Sequence, residues 1–246
     1  MSILEGSYYR SMLSGADRMA YDTLYQKCSL QKGSIRLPGC WTQTDRLTKI
    51  IEAVMLDHPS IFWVNYYHYS LVMTPIFTEL RLPFFFYGTQ LDDLTRETSA
   101  WQARIAGKVP VHARTVDRAW LIFDYLARQV SYGEQNDAYS HTIIGPMSRR
   151  NHTAVCEGVA KSYKFLCDGA GIPCIIVIGN AHFDARHSGP HAWNMVECGG
   201  GIFHVDVTAE LEFAHYMGSA GKDSFLHLDQ DMRQYSWNRG LVPRCD

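Results

Sequence analysis

The sequence predicts an α+β fold in which a cysteine at the start of a helix packs on an antiparallel sheet. Three stretches predict it. Thr153-Ala154-Val155-Cys156-Glu157-Gly158 opens an apolar helical run through Tyr163, Phe165 and Leu166. The spacing stops this run at Asp168-Gly169, since glycine is favoured just past a helix end. Ile172-Pro173-Cys174-Ile175-Ile176-Val177-Ile178-Gly179 is a short, β-branched apolar run and reads as a buried strand. His191–Val196 and Ile202–Thr208 then face each other across Gly199, Gly200 and Gly201, as two strands of a hairpin would.

The remaining elements follow in chain order. Ser14-Gly15-Ala16-Asp17 precedes a helix over Arg18–Cys28, with Met19, Tyr21, Leu24 and Tyr25 as its loose stripe. Thr44-Asp45 is placed to cap a helix over Arg46–Leu56, whose Leu47, Ile50, Ile51, Val54 and Met55 recur at helical spacing. His58-Pro59 ends it, because the residue before proline disfavours helix. Ile61–Tyr66, the segment around Tyr67–Met73, and Pro83–Tyr87 read as strands. Two further helices are expected over Asp92–Ile105 and Val116–Val130, the second with Trp120, Phe123, Leu126 and Ala127 on the face that would lie under the Cys156 helix. Ser131–Arg150 is polar and broken by Gly133 and Gly145-Pro146, and beside a nucleophile such a loop suits a substrate wall.

Composition narrows the function classes. At 246 residues, 46% hydrophobic and 20% charged, the chain is an ordinary folded globular protein able to bury a substantial core. A net charge of −2 leaves no electrostatic footprint for nucleic acid or an anionic membrane. No window approaches the apolar length of a membrane span. Met1–Arg10 lacks the pattern of a signal peptide. Seven cysteines, an odd number without a CxxC pair, argue against a disulfide framework. The default expectation is cytoplasmic, with export the alternative if a leader has been removed. Oligomeric state is not legible.

The order of Cys156, His191 and Asp206 carries the chemistry. A thiol attacks carbonyls well only as its thiolate, and the first turn of a helix favours that anion through its unpaired N–H groups. With Thr153 as N-cap, Cys156 falls inside that turn. A histidine takes and returns the proton, and a carboxylate fixes its tautomer and stabilises its cation. A two-residue loop at Gly199-Gly200 sets Trp193 opposite Asp206 and His191 opposite Thr208, so His191 and Asp206 become diagonal neighbours on one face. A shift of one residue would separate them. His182, His187, His191 and His204 with Cys198 could suggest zinc, but Gly189-Pro190 prevents a helical ligand pair, and no metal site is expected. Cys167 and Cys174 fall on a helix end and a buried strand and read as packing residues; Cys28, Cys40, Cys198 and Cys245 have no visible partner chemistry.

The segments Val155-Cys156-Glu157-Gly158-Val159-Ala160-Lys161, Gly171-Ile172-Pro173-Cys174, Gly179, His191-Ala192-Trp193-Asn194 and His204-Val205-Asp206-Val207-Thr208 resemble the core of the transglutaminase-like superfamily, most closely its bacterial transglutaminase/protease-like branch. Fainter similarity extends to Leu56–Val64 and to the tail from Phe225 to Cys245. The resemblance implies a papain-like catalytic core over residues 106–246 with an N-terminal α+β region over 1–105. It implies Cys156 as nucleophile, His191 as base and acid, and Asp206 as orienting carboxylate. It makes His141 a candidate oxyanion or substrate-loop residue, with a solvent-facing loop histidine as the plain alternative; Trp193 is a candidate wall of the acyl channel, with packing in the core as the plainer role. The implied activity is acyl transfer or hydrolysis on protein or peptide amides through a Cys thioester, without a cofactor. Nothing like an acidic calcium loop is present. The alternatives from other classes are a catalytically silent module binding a protein or peptide, and a zinc-dependent hydrolase.

Overall fold

The computed structural model describes residues 2–4, 6–39, 41, 43–133, 136–147, 152–182 and 188–246. Cys40 and His187, and the 148–150 end of the expected substrate loop, lie outside the described residues. The chain forms two compact units, one of Ser7–Leu94 and one of Met1–Gly6 with Thr95–Asp246.

The Ser7–Leu94 unit holds α1 (Tyr8–Met12), α2 (Gly15–Ser29), β1 (Ser34–Pro38), α3 (Thr44–Asp57), β2 (Ser70–Met73), β3 (Phe77–Arg81) and the start of α4 (Gly88–Ala106). The helices expected over Arg18–Cys28 and Arg46–Leu56 are present, each a little longer. Thr44 and Asp45 lie inside α3 rather than capping it, since the N-cap is Gln43. Asp57, buried at the end of α3, accepts the backbone N–H groups of Tyr9 and Arg10 and the Tyr21 hydroxyl, and so ties α1 and α2 to α3. The strands differ from expectation. Ile61–Tyr66 and Pro83–Tyr87 are turns joined by one bridge, Val64 to Phe84. Ile61, Phe62, Trp63 and Val64 are all buried, and a run enclosed on every side lacks the alternation that marks a half-buried strand. That alternation appears instead in β1, where Ile35 and Leu37 point inward, and in β3, where Thr78 and Leu80 do. With β2 these build an antiparallel sheet of order β1-β3-β2.

The larger unit contains the rest of α4, then α5 (Thr115–Gln129), β4 (Ser131–Tyr132), α6 (Asp137–Ser140), α7 (Ile144–Met147), β5 (Thr153–Ala154) and α8 (Cys156–Gly169). These are followed by β6 (Cys174–His182), β7 (Ser188–Cys198), β8 (Gly201–Val205), a 3-10 turn (Thr208–Glu210), α9 (Leu211–Met217), β9 (Phe225–His227) and β10 (Tyr235–Trp237). The strands β10-β6-β7-β8-β9 form one antiparallel sheet. Helix α8 lies on it through buried Val159, Ala160, Tyr163 and Leu166, and Asn194 of β7 donates to the Ala160 carbonyl at 3.0 Å. Helix α5 supports α8 from behind, where the Tyr163 hydroxyl donates to the Ala119 carbonyl. Trp101 stacks on Phe165, so the end of α4 joins the same core.

The β7–β8 hairpin has the register that the spacing predicts. Cys198 pairs with Gly201 and Asn194 with Val205 across Gly199-Gly200. Both loop glycines have positive φ, 60° and 87°, as a type I′ turn requires. Replacing Gly199 by Asn, which tolerates this conformation, should leave stability nearly unchanged. Gly199→Val should cost about 1–2 kcal/mol, the cost of a left-handed L-residue. Urea unfolding of the two variants checks the difference.

Candidate active site

Cys156 is the first residue of α8. This corrects the expected cap. Thr153 and Ala154 pair with Ser131 and Tyr132 as a short parallel bridge, so the helix begins after them with Val155 as N-cap and no side-chain cap bond. The thiol therefore sits at the mouth of the helix, where the first backbone N–H groups have no partner within the helix and carry partial positive charge.

Asp206 follows the end of β8 and is buried, at 3% side-chain exposure. A buried carboxylate must be fully partnered, and this one is. Oδ1 accepts the backbone N–H of Thr208 at 3.0 Å and of Ala209 at 3.4 Å, which makes Asp206 the cap of the 3-10 turn. Oδ2 lies 2.7 Å from His191 Nε2 and accepts the Tyr235 hydroxyl at 2.8 Å. The plain role of capping a turn and the role of orienting an imidazole are thus filled by opposite oxygens of one carboxylate.

His191 is 9% exposed, and Cys156 is close enough to act on its charge. With Nε2 engaged by Asp206, Nδ1 is the ring nitrogen left for the thiol. Burial disfavours the imidazolium, but the hydrogen bonds and negative charge of Asp206 and Cys156 outweigh it, and the His191 pKa is raised to about 10. Tyr235 was not singled out from the sequence. Its phenol is held protonated by burial and by the adjacent Asp206, so it donates to that carboxylate. The signal that finds it is the pairing of β10 with β6, Tyr235 opposite Ala181, which no local pattern reveals.

Trp193 is 1% exposed and lies with its indole nearly parallel to the His191 ring, 6.0 Å between centroids and 19° between planes. It is beneath the imidazole, enclosed by Tyr235, Trp237 and His204. His141 is elsewhere on the rim of α8. Its Nδ1 is 2.9 Å from Glu157, the residue after Cys156, and this carboxylate raises the His141 pKa. Glu157 also pairs with Lys161, whose ammonium donates to the His141 carbonyl. Of the histidines considered for zinc, His182 bonds Ser188 and His204 bonds Asp229 and Trp193, so they do not converge with His191 on one point. The buried Cys167 and Cys174 touch each other at the α8–β6 packing interface, and burial pushes the Cys167 thiol well up.

The segment carrying His141 reaches α8 only because residue 158 is glycine. A Cβ there would lie 2.3 Å from the Ser140 carbonyl oxygen and 3.1 Å from that of Thr142. The Val155 N–H also bonds to the Ser140 carbonyl at 3.1 Å, pinning this segment to the helix start.

Residues 101–207 match the transglutaminase-like superfamily. No curated protein matches the chain. Among solved structures, a proposed cysteine protease from Cytophaga hutchinsonii is similar at 16% identity, with 69% of this chain and 70% of that one covered and a TM-score of 0.37. The periplasmic domain of TgpA from Pseudomonas aeruginosa, bound to ethylmercury, is similar at 16% identity over 56% of this chain and 57% of that domain, with a TM-score of 0.35. A structure described as a TGase matches at 15% identity, 57% and 44% coverage, and a TM-score of 0.33. The chain thus spans little more than half of the TgpA domain and less than half of the TGase.

Two predictions follow from the geometry. Gly158→Ala should lower stability by about 1–3 kcal/mol, the usual cost of overpacking, because backbone must move to admit the methyl group; the urea midpoint reads this. The second concerns pH. A histidine whose folded pKa lies above its ordinary value of about 6.5 contributes stability that is complete below that value and is lost as pH rises to the folded value. The stability advantage of the wild type over His191→Gln should therefore shrink between pH 7 and pH 10, by at least ~1.4 kcal/mol, the worth of one pKa unit.

From Trp101 to Val207, then, the chain matches the transglutaminase-like superfamily.

Proposed function

We propose that the protein is a cysteine acyl-transfer enzyme acting on carboxamide or peptide carbonyls of proteins or peptides. The observation that carries the reading is the 2.7 Å hydrogen bond between Asp206 and His191, with Cys156, the first residue of α8, near enough to act on the imidazole. A buried carboxylate, an imidazole held as its cation and a thiol at a helix mouth favour the thiolate–imidazolium state.

In the proposed reaction the Cys156 Sγ attacks the carbonyl carbon, and negative charge develops on the carbonyl oxygen. The Cys156 backbone N–H, unpartnered within the helix, is placed to receive that oxygen. The C–N bond then breaks, and His191 gives its proton to the departing amine. The thioester is resolved by a second nucleophile: His191 takes its proton, the C–S bond breaks, and the thiolate returns. An amine as nucleophile completes transamidation, and water completes hydrolysis. Both outcomes use the same three residues and differ in what reaches the thioester.

Asp206 keeps Nε2 engaged so that Nδ1 faces the sulfur, and Tyr235 fixes the carboxylate in turn. His141 is the proposed additional donor. Its Nδ1 is held by Glu157 and its raised pKa favours the cation, which adds positive charge near the start of α8.

The test is capture of the acyl-enzyme. The protein is incubated with a glutamine-containing peptide library and quenched in acid, and the Cys156 peptide is inspected by mass spectrometry, with hydroxylamine as the competing amine. An acyl adduct on Cys156, absent from Cys156→Ser and lowered at least about 10²-fold in rate by His191→Ala, is expected. His141→Ala should lower the rate by about 10²-fold, as loss of one oxyanion donor does. Turnover unaffected by Cys156→Ser would overturn the reading.

A further inference from the structure

Behind the site lies a second histidine–carboxylate pair that the reaction does not use. His204, on β8 and fully buried, has Nε2 2.9 Å from Asp229 Oδ1, and its Nδ1 accepts the Trp193 indole N–H at 2.9 Å. Because Trp193 can only donate, Nδ1 must be unprotonated and the ring proton must sit on Nε2, directed at Asp229. Burial also lowers the His204 pKa, against the opposing pull of Asp229, which keeps the ring neutral. Asp229 is itself fixed. Arg239 donates to Oδ2 at 3.0 Å, the Cys245 N–H reaches Oδ1 at 3.4 Å, and the Asp229 N–H bonds to the Cys245 carbonyl. Each polar atom in this line has one orientation available.

The line ends on the ring that stacks against His191. Trp193 is confined on its other edges as well. A Cβ at Gly179 would meet the far edge of the indole at 2.8 Å, so the glycine leaves room for the ring and no more. Tyr235 and Trp237 meet it edge-on, at 5.2 and 5.8 Å. Rotation of the indole would break its one hydrogen bond in a buried place, and a buried polar group left unpaired is costly.

We propose that Asp229, His204 and Trp193 form a buried positioning relay, anchored at the surface by Arg239, that sets the plane of the His191 imidazole. The relay rests on the reading of His191 as the catalytic base. Asp206 holds that ring at one atom, Nε2, and the indole lies along its face, so the two contacts together define its plane. With the plane set, Nδ1 stays aimed at Cys156. His204 and Trp193 act as positioning residues, since neither is placed against the reacting atoms. His204, Asp229 and Cys245 also bring potential ligand atoms within 4.8 Å of one another. Arg239 on Asp229 and Trp193 on His204 already occupy the outer atoms of that trio, so it reads as a hydrogen-bonded relay and not as a metal site.

The test follows carbamidomethylation of Cys156 by iodoacetamide from pH 5 to pH 10, read by peptide mass spectrometry and normalised to folded protein. The full chain is used throughout. His191→Ala sets the reference. Replacing Trp193 by its benzothiophene analogue keeps the ring shape and removes only the N–H, and His204→Leu removes the acceptor. Both should slow labelling about tenfold or more and alter its pH profile, as misorientation of one reacting group does. His204→Gln, which can accept from Trp193 and donate to Asp229, should restore most of the rate. A His191→Ala variant that labels at the wild-type rate would remove the catalytic reading and the relay with it. If His191→Ala slows labelling while the analogue leaves both rate and profile unchanged, the relay alone is overturned and His204 serves packing only. The analogue keeps this outcome readable even where His204→Leu fails to fold.

Discussion

The burial of one charge, on Asp206, organises the site. A carboxylate withdrawn from water has to recover its lost hydration from protein donors. Asp206 recovers it from four directions: two backbone N–H groups of the turn that follows it, the Tyr235 hydroxyl and His191. Each donor comes with a structural demand. The turn must begin at once after β8, β10 must pair with β6, and β7 must hold its register against β8 so that His191 arrives at the right oxygen. The proposed chemistry at Cys156 thus depends on the sheet as a whole, because the sheet and the turn that leaves it deliver every partner of one carboxylate.

Strand β7 has a division of labour between alternate residues. Asn194 points to α8 and ties the sheet to the helix that carries the thiol. His191, Trp193 and Met195 alternate with it along β7. The aromatic cluster of Trp193, Tyr235 and Trp237 lies under the imidazole. Inside this cluster the Trp193 indole N–H and the Tyr235 hydroxyl each have a defined partner, a condition in which a buried network specifies one arrangement.

What was legible in the sequence is what local rules determine. The strand after α8, the two-glycine turn and the diagonal placement of His191 and Asp206 all follow from alternation and loop length. The helix start was misread by its cap. Thr153 looks like an N-cap, but its backbone is drawn into a bridge with Ser131, a partner twenty-two residues earlier whose pairing no local pattern announces. Tyr235 and Asp229 were invisible for the same reason, because their roles exist only through contacts 29 and 25 residues apart in sequence. His204 drew notice as a metal-binding residue type and within the His204–Thr208 segment of the resemblance, but its actual environment required β9 and the C-terminal segment to be in place. In the other unit, the run from Ile61 to Val64 was apolar enough for a strand, yet enclosure on every side made it a buried turn.

The central claim is that Asp206 and Cys156 hold His191 as a cation across the neutral range. Site-resolved NMR titration of the His191 ring, in wild type and Asp206→Asn, measures this directly. The account predicts a ring that keeps its proton through neutral pH and titrates near the raised value of about 10, with the midpoint falling when the Asp206 charge is removed. A ring that titrates near the ordinary value of about 6.5 in both proteins would contradict it.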